Sequence, residues 1–476
     1  MEKLKLNKGI VGVLDSLFLY SFLFYAILGN NSFTYGSKLI SYVMWFALLL
    51  GVGLIFYRIL NFKEYFKFPD IIFPVLMLAS IGITTLVNYN SHFKENLIFC
   101  VYWAFYLLIL FTVSREKSKE EIKQDFERFA LVYMAYYLIS AVLSFYLLLT
   151  GYAEKFVTAD TGYEYIAGFM WGRLWGTHIN PNQGAIGSAI ACGVLVYFFI
   201  TRKKIWKRIL CALGVFCLVM YIALSDSRSG AVCLGVVAAV STFVYMCGKK
   251  TDKKILFKGL AAVLAVIMLV VGISAPRKLK DGYNSISKAI VTEQKNDPTP
   301  GEPPKITPPT VDRGYDLSDD ISNRRFDVWG SGVDIYLSSP KAMTVGVGFA
   351  GMLDYAKGNL PETYIVTNDY AELRTLDNEF FNIMAAQGSL GLLTAAAFVV
   401  FILIKLFKRI FKLPKDEVSF AAGTLAVVLG LACSAMFMGV MFYHFSPNSV
   451  MFWTALGSLT AFLSRSCSEE KANEQD

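Results

Sequence analysis

The chain is 476 residues long, 55 % hydrophobic and only 17 % charged, with 38 Phe and 26 Tyr. Soluble proteins carry about 25 % charged residues, so this composition excludes an ordinary water-soluble enzyme and points to a polytopic membrane protein. The formal net charge of +8 invites a nucleic-acid partner, but its placement along the chain explains it without one.

Lys3, Lys5 and Lys8 precede a long apolar run with no small-residue cleavage pattern after it. This reads as an uncleaved first span rather than a signal peptide. A membrane span takes roughly 20 mostly apolar residues. Twelve segments qualify: 11–29, 37–57, 71–88, 97–113, 129–150, 183–200, 209–224, 231–247, 259–275, 379–404, 418–441 and 449–464. With the N-terminus placed in the cytoplasm, the inner segments hold 28 Lys and Arg, and the short outer loops hold four: Lys94, Lys155, Arg173 and Arg228. That asymmetry puts both termini inside and the long stretch 276–378 outside. The expected organisation is spans one to nine over 1–275, a large extracytoplasmic loop over 276–378, spans ten to twelve over 379–464 and a cytoplasmic tail over 465–476. The fold class expected is an all-α polytopic membrane protein with unbroken spans.

Four segments of the outer face are rich in polar chemistry. The first is 151–182, ending in Gly172-Arg173-Leu174-Trp175-Gly176-Thr177-His178-Ile179-Asn180-Pro181-Asn182. The second is the turn Ser225-Asp226-Ser227-Arg228-Ser229-Gly230, and the fourth is Tyr443-His444-Phe445-Ser446-Pro447-Asn448. The third, the large loop, has parts. Residues 277–296 are polar enough for a surface helix, and 297–309 hold six prolines, as an extended tether would. Phe326, Trp329, Val333, Tyr336 and Leu337 then recur at helical spacing, with Ser322 as a cap and Pro340 as the stop. That helix is amphipathic and suited to a membrane surface or to the top of the bundle. Gly346-Val347-Gly348 makes a tight turn, and Thr375-Leu376-Asp377-Asn378-Glu379 leads back into the membrane.

Each candidate has a structural and a chemical reading. Arg228, between two apolar spans, either pairs with Asp226 or a lipid headgroup, or grips an anion through paired guanidinium hydrogen bonds. Arg324 and Arg325 either pair with Asp319 or Asp320 on the surface, or form a second grip on that anion. Asp377 either caps the tenth span or accepts a proton from a hydroxyl, its pKa set by the balance of burial and a nearby arginine. Asn180, Pro181 and Asn182 most simply cap the sixth span. His92, His178 and His444 read as boundary residues. Of eight cysteines, none lies in the large loop and none forms a CxxC pair, so no disulfide framework, metal or cofactor is expected. No phosphate-binding glycine loop is present.

At these residues the chain resembles the O-antigen ligase and polymerase family that shares the Wzy C-terminal domain. The matching pieces are Gly172 to Asn182; Ser227-Arg228-Ser229-Gly230; Arg325 four before Trp329, with Pro340 and Gly346-Val347-Gly348; and Asp377-Asn378 followed by Gly388-Ser389-Leu390-Gly391-Leu392. Together with the span layout, the resemblance covers about residues 170–400. It implies a GT-C-like membrane fold and a metal-independent, inverting glycosyltransferase of the cytoplasmic membrane. The partners it implies are undecaprenyl-diphosphate-linked glycan, a glycan acceptor, membrane lipid and, for a polymerase, a protein that regulates chain length. Arg228, Arg325 and Asp377 are then the catalytic candidates. Arg173, Asn180, Asn182, Arg324 and Asn378 are the substrate-binding ones. Ligases of the family have a histidine at the loop's end, where this chain has Asp377. That departure leans towards a polymerase of repeat units, with transfer to a lipid, cell-wall or protein acceptor as the alternative. A flippase or transporter would show broken spans and charges at mid-membrane, and a receptor or scaffold is favoured by the proline tether alone.

Overall fold

The computed structural model describes residues 7–66, 68–157, 164–248, 254–296, 308–313, 324–368, 375–414 and 417–473. Its helices, in order, are α1 (Lys8–Gly29), α2 (Lys38–Leu60), α3 (Phe62–Tyr65), α4 (Ile72–Val87), α5 (Phe93–Ala104), which continues as a π-helix, α6 (Lys119–Leu149), α7 (Pro181–Thr201), α8 (Ile205–Leu224), α9 (Arg228–Cys247), α10 (Lys254–Asn296), α11 (Arg325–Leu337), α12 (Pro340–Val345), α13 (Met352–Asn359), α14 (Tyr364–Thr367), α15 (Glu379–Ile410), α16 (Val418–Ser434) and α17 (Pro447–Asn473). Nine helices among the described residues are long and apolar enough to cross a membrane. Three more, α4, α16 and α17, fall on the remaining expected spans. The chain is therefore a polytopic helical membrane protein.

The most buried of the nine long helices is α7, and α9 packs on it, on α10 and on α16. Its contact with α10 is glycine on glycine: a Cβ added to Gly272 would lie 2.5 Å from the Gly235 Cα. Small residues let apolar helices approach closely where no hydrophobic drive separates helix from lipid. At one end of the bundle buried ion pairs hold the helix termini. Arg115 and Lys405 both donate to Asp70, at 2.9 and 2.6 Å, and Arg58 donates to Asp15 at 2.6 Å. These cations come from the basic segments read above as inner loops.

Four expectations need correction. The fold is not all-α. The strands β1 (Ala153–Val157), β2 (Glu164–Met170) and β3 (Arg173–Gly176) form an antiparallel sheet in that order, with Met170 opposite Arg173. The β2–β3 turn carries Trp171 and Gly172, both at positive φ (54° and 69°), the geometry that tight hairpins favour. Outside the hydrocarbon a strand's edge groups can find water, so the helix-only constraint lapses there. Second, the helix of the ninth span does not stop at 275. α10 runs through Pro276 for 43 residues, about 65 Å at 1.5 Å per residue, so the expected surface helix is an extension of the span. A single proline removes only one helical donor. Third, the eleventh span ends at Ser434, and 435–446 is non-helical. Fourth, α15 is broken: Gly388 has φ 63° and ψ −156°. The carbonyls freed there are taken by the glycine turn, with Val347 N–H donating to Ala385 O and Gly348 N–H to Ala386 O, at 3.1 and 3.0 Å. The break is thus filled by the protein's own backbone. Ser322, Asp319, Asp320 and most of the proline tether lie outside the described residues.

Candidate active site

Four chain segments, far apart in sequence, converge at the end of the bundle opposite the buried ion pairs. The first is the start of α9. Ser227 caps it, its Oγ accepting from Gly230 N–H at 3.2 Å, and this makes Arg228 the first helical residue. Asp226 pairs with Lys280 of α10 at 2.8 Å, not with Arg228 as one reading had it. The second is the start of α11. Arg324 stands before it in the left-handed conformation (φ 60°) and sends its side chain outward, 67 % exposed, to Asp327 at 3.4 Å. Arg325 turns the other way, over the Phe437 ring at 6.0 Å from its centroid.

The third segment is 375–378, just ahead of α15. The cap of α15 is Asn378, not Asp377: its Oδ1 accepts from Phe380 N–H at 2.9 Å and its Nδ2 donates to Met436 O at 3.0 Å. The backbone on either side is held by Asn382, whose Oδ1 accepts from Leu376 N–H at 2.9 Å, and by Thr375, which accepts from Asp377 N–H at 3.3 Å. Asp377 itself sits at φ 49°, a conformation that costs a non-glycine residue energy and marks functional sites. Its carboxylate is excused from capping and accepts no hydrogen bond among the described residues.

Electrostatics tie these pieces together. Burial pushes the Asp377 carboxyl up to about 6 despite the opposing pull of Arg325. The group keeps a solvent-accessible edge, as a side chain at the bottom of a crevice would. Arg325 is shifted down, first by burial, with Asp377 opposing and Arg228 and Arg313 adding like-charge repulsion. Arg228, Arg313, Arg325 and Asp377 therefore share one electrostatic field. Arg313 is a residue that reading the sequence missed, because nothing in 308–313 announces that it folds back to this place. It comes from the fourth segment and donates to Asp226 O at 3.4 Å.

The other expected site residues sit one layer away. Arg173 is buried, with Nε donating to Ser225 O at 2.9 Å and NH2 to Asn182 Oδ1 at 2.8 Å. It ties β3 to the turn that presents Arg228. Asn180 is the cap of α7, accepting from Asn182 N–H at 2.9 Å, with Pro181 at the first helical position. His178 stacks on Tyr137 in a buried aromatic box, and burial lowers its pKa to about 4, so it is neutral. Among the described residues no group of three or more His, Cys, Asp or Glu is placed to hold a metal ion.

Residues 213–396 match the family model described as O-antigen ligase (Wzy_C). Over that stretch the chain is similar to the O-antigen ligase family. No curated protein matches it. The matched stretch runs from α8 to the kinked part of α15, so it contains Arg228, Arg313, Arg325 and Asp377 together. The match supports a membrane enzyme of the O-antigen ligase or polymerase type, acting on lipid-linked glycan and an acceptor.

Proposed function

We propose that this protein polymerises oligosaccharide units carried on undecaprenyl diphosphate, at the outer face of the cytoplasmic membrane and with both termini inside. The observation that carries the reading is that Arg325 lies within electrostatic reach of both Arg228 and the half-buried carboxylate of Asp377. The sugar–diphosphate bond already holds the energy for transfer, so no nucleotide is needed. The leaving diphosphate needs its developing charge matched, which preorganised guanidinium groups do. The acceptor hydroxyl attacks the anomeric carbon as the bond to diphosphate breaks. Its proton passes to Asp377, and direct displacement inverts the anomeric centre. One base suffices, unlike the two carboxylates of a glycosidase.

A lipid-borne donor also needs an apolar path. A cleft of about 320 Å³ lies between α9, α10, α15 and α16, lined by Val240, Phe243, Ala265, Leu406, Phe407 and Leu429. Leu406 and Phe407 follow Lys405 on α15, so this cleft lies in the half of the bundle nearer the buried ion pairs, away from the arginines, and is not the donor's path to them.

The test is Arg228→Ala and Arg325→Ala in cells, at normal protein level, with surface glycan read as a ladder. Loss of long chains is expected. Wild-type chain lengths in either variant would remove that arginine from the mechanism. The family description favours a second reading, ligation of finished glycan to another acceptor. A surviving ladder left on carrier lipid in the Asp377→Asn variant would establish ligation, and single repeat units would establish polymerisation. A chain-length regulator follows only from the polymerase reading, and no described residue points to one.

A further inference from the structure

We propose that the crevice between α1 and the first turns of α6, at the end of the bundle that holds the buried ion pairs, binds one zwitterionic aminophospholipid, its headgroup against the charged wall and its chains along α1. Nothing in this proposal rests on the glycan chemistry above. The crevice measures about 860 Å³, within the range of roughly 300–1,000 Å³ that small-molecule sites span. On α1 it runs from Gly9 to Tyr20, about 16 Å at 1.5 Å per residue. That length exceeds a headgroup alone and fits a headgroup followed by the upper part of its chains. The two walls differ. α1 contributes Val13 and Leu17, both exposed, and Tyr20, whose ring lies 6.4 Å from that of Phe129. The opposite wall carries Lys117, Glu121, Asp125 and Arg128. The contact between Tyr20 and Phe129 sets Asp125 and Arg128 beside the middle of α1, where charges are costly unless matched. Asp15 and Arg58 close the floor, paired at 2.6 Å and both buried. Arg58 also gives NH1 to Leu108 O and Thr112 Oγ1, at 2.6 and 2.7 Å, but its buried Nε donates to nothing among the described residues. The floor thus holds a guanidinium N–H for which the protein supplies no acceptor.

The order of charges along α6 selects the headgroup. Deepest is Arg128, which stands 3.7 Å from Asp125 in a long pair, its guanidinium 69 % exposed and shaped to bind phosphate through paired hydrogen bonds. Asp125 takes its shorter contact, 2.7 Å, from Lys117. Nearer the start of the helix is Glu121, whose Oε2 accepts from the Ser118 N–H and hydroxyl, at 2.8 and 2.9 Å, and whose Oε1 accepts from no group among the described residues. In an aminophospholipid the phosphate lies next to the chains and the ammonium farther out. Chains along Leu17 and Tyr20 therefore bring the phosphate to Arg128 and the ammonium towards Glu121. An anionic headgroup has no cation for the carboxylate. A choline headgroup has a cation that cannot donate, so it forgoes the charge-assisted hydrogen bond.

The test uses the full-length protein, reconstituted in equimolar phosphatidylethanolamine, phosphatidylcholine and phosphatidylglycerol and then stripped with mild detergent. Retained phospholipid is counted by native mass spectrometry. One phosphatidylethanolamine per protein is expected, at least fivefold over either competitor. Arg128→Ala, at an exposed position, should cut its retention at least fivefold. Glu121→Gln, which keeps the capping box, should bring it down to the level of the competitors. Lys412→Ala, at an exposed cation outside the crevice, should retain as much as wild type. Equal retention of the three lipids, a preference for phosphatidylglycerol, or wild-type retention in Arg128→Ala would overturn the assignment. So would a loss in Lys412→Ala as large as that in Arg128→Ala, since the effect would then belong to bulk charge and not to this crevice.

Discussion

Asp377 is the base of the proposed mechanism, and its surroundings set a pH signature. A base must be deprotonated, and this carboxyl titrates near 6 because burial outweighs the pull of Arg325. Transfer by purified enzyme should therefore rise with pH through about 6 and level off above 7. Asp377→Asn should abolish the rate, and Asp377→Glu should keep a fraction of it. Linkage gives a second readout. A carboxyl whose folded pKa lies above its unfolded value destabilises the fold once ionised. That loss is absent below about pH 4 and complete above about pH 6. Asp377→Asn should then melt higher than wild type at pH 8 and equal to it at pH 4. A melting difference that persists at pH 4 would mean that Asp377 is not desolvated as described. The sequence marked this residue but left its role open between cap and base. The next residue, Asn378, takes the cap, and only coordinates could show which of two adjacent cap-forming side chains turns inward.

At the scale of elements, Glu379 shows why one boundary was illegible. The sequence reads 418–441 as one apolar run, and nothing local says that the helix stops at Ser434. The stop is imposed from 60 residues upstream. Glu379 Oε1 accepts from Met441 N–H and Tyr443 N–H, at 3.3 and 3.2 Å, and from Phe442 N–H. These are donors that would otherwise be buried unpaired. The held segment in turn stacks Phe442 on Trp103 and Tyr443 on Phe349 of the large loop, and it places Phe437 under Arg325. A buried donor left without its acceptor costs about 1–3 kcal/mol. Glu379→Ala should accordingly lower the melting temperature in detergent and reduce activity together, while Glu379→Gln, which keeps an acceptor oxygen, should recover part of both. Full activity in Glu379→Ala would show that the segment holds itself. The long helices were legible because span length and capping are local properties: Asn180-Pro181 starts α7 as its sequence promises. The sheet, the Gly388 break and the fold-back of 308–313 were not, since each depends on a partner distant in the chain.

On the scale of the whole molecule, charge sorts the two ends of the bundle. One end holds Arg58, Arg115 and Lys405, each paired with a buried carboxylate, and the exposed basic residues around Lys203 and Lys412. The other holds the half-buried arginines of the site, Arg228, Arg313 and Arg325. Lysine and arginine in short loops stay on the cytoplasmic side during insertion, and the orientation we propose therefore puts the first end inside and the site outside. A glycosyl donor already attached to carrier lipid needs no cytoplasmic nucleotide, and this sidedness is what the proposed chemistry requires. Single cysteines placed in a cysteine-free background decide it. Lys341→Cys, on α12 of the large loop, should react with a membrane-impermeant maleimide in intact cells. Lys203→Cys, between α7 and α8, should react only after the membrane is opened. Labelling of Lys203→Cys in intact cells with Lys341→Cys protected would turn the molecule over. The arginine site would then face the cytoplasm, where nucleotide sugars are present and a diphosphate-linked lipid donor is no longer the only source of energy for transfer.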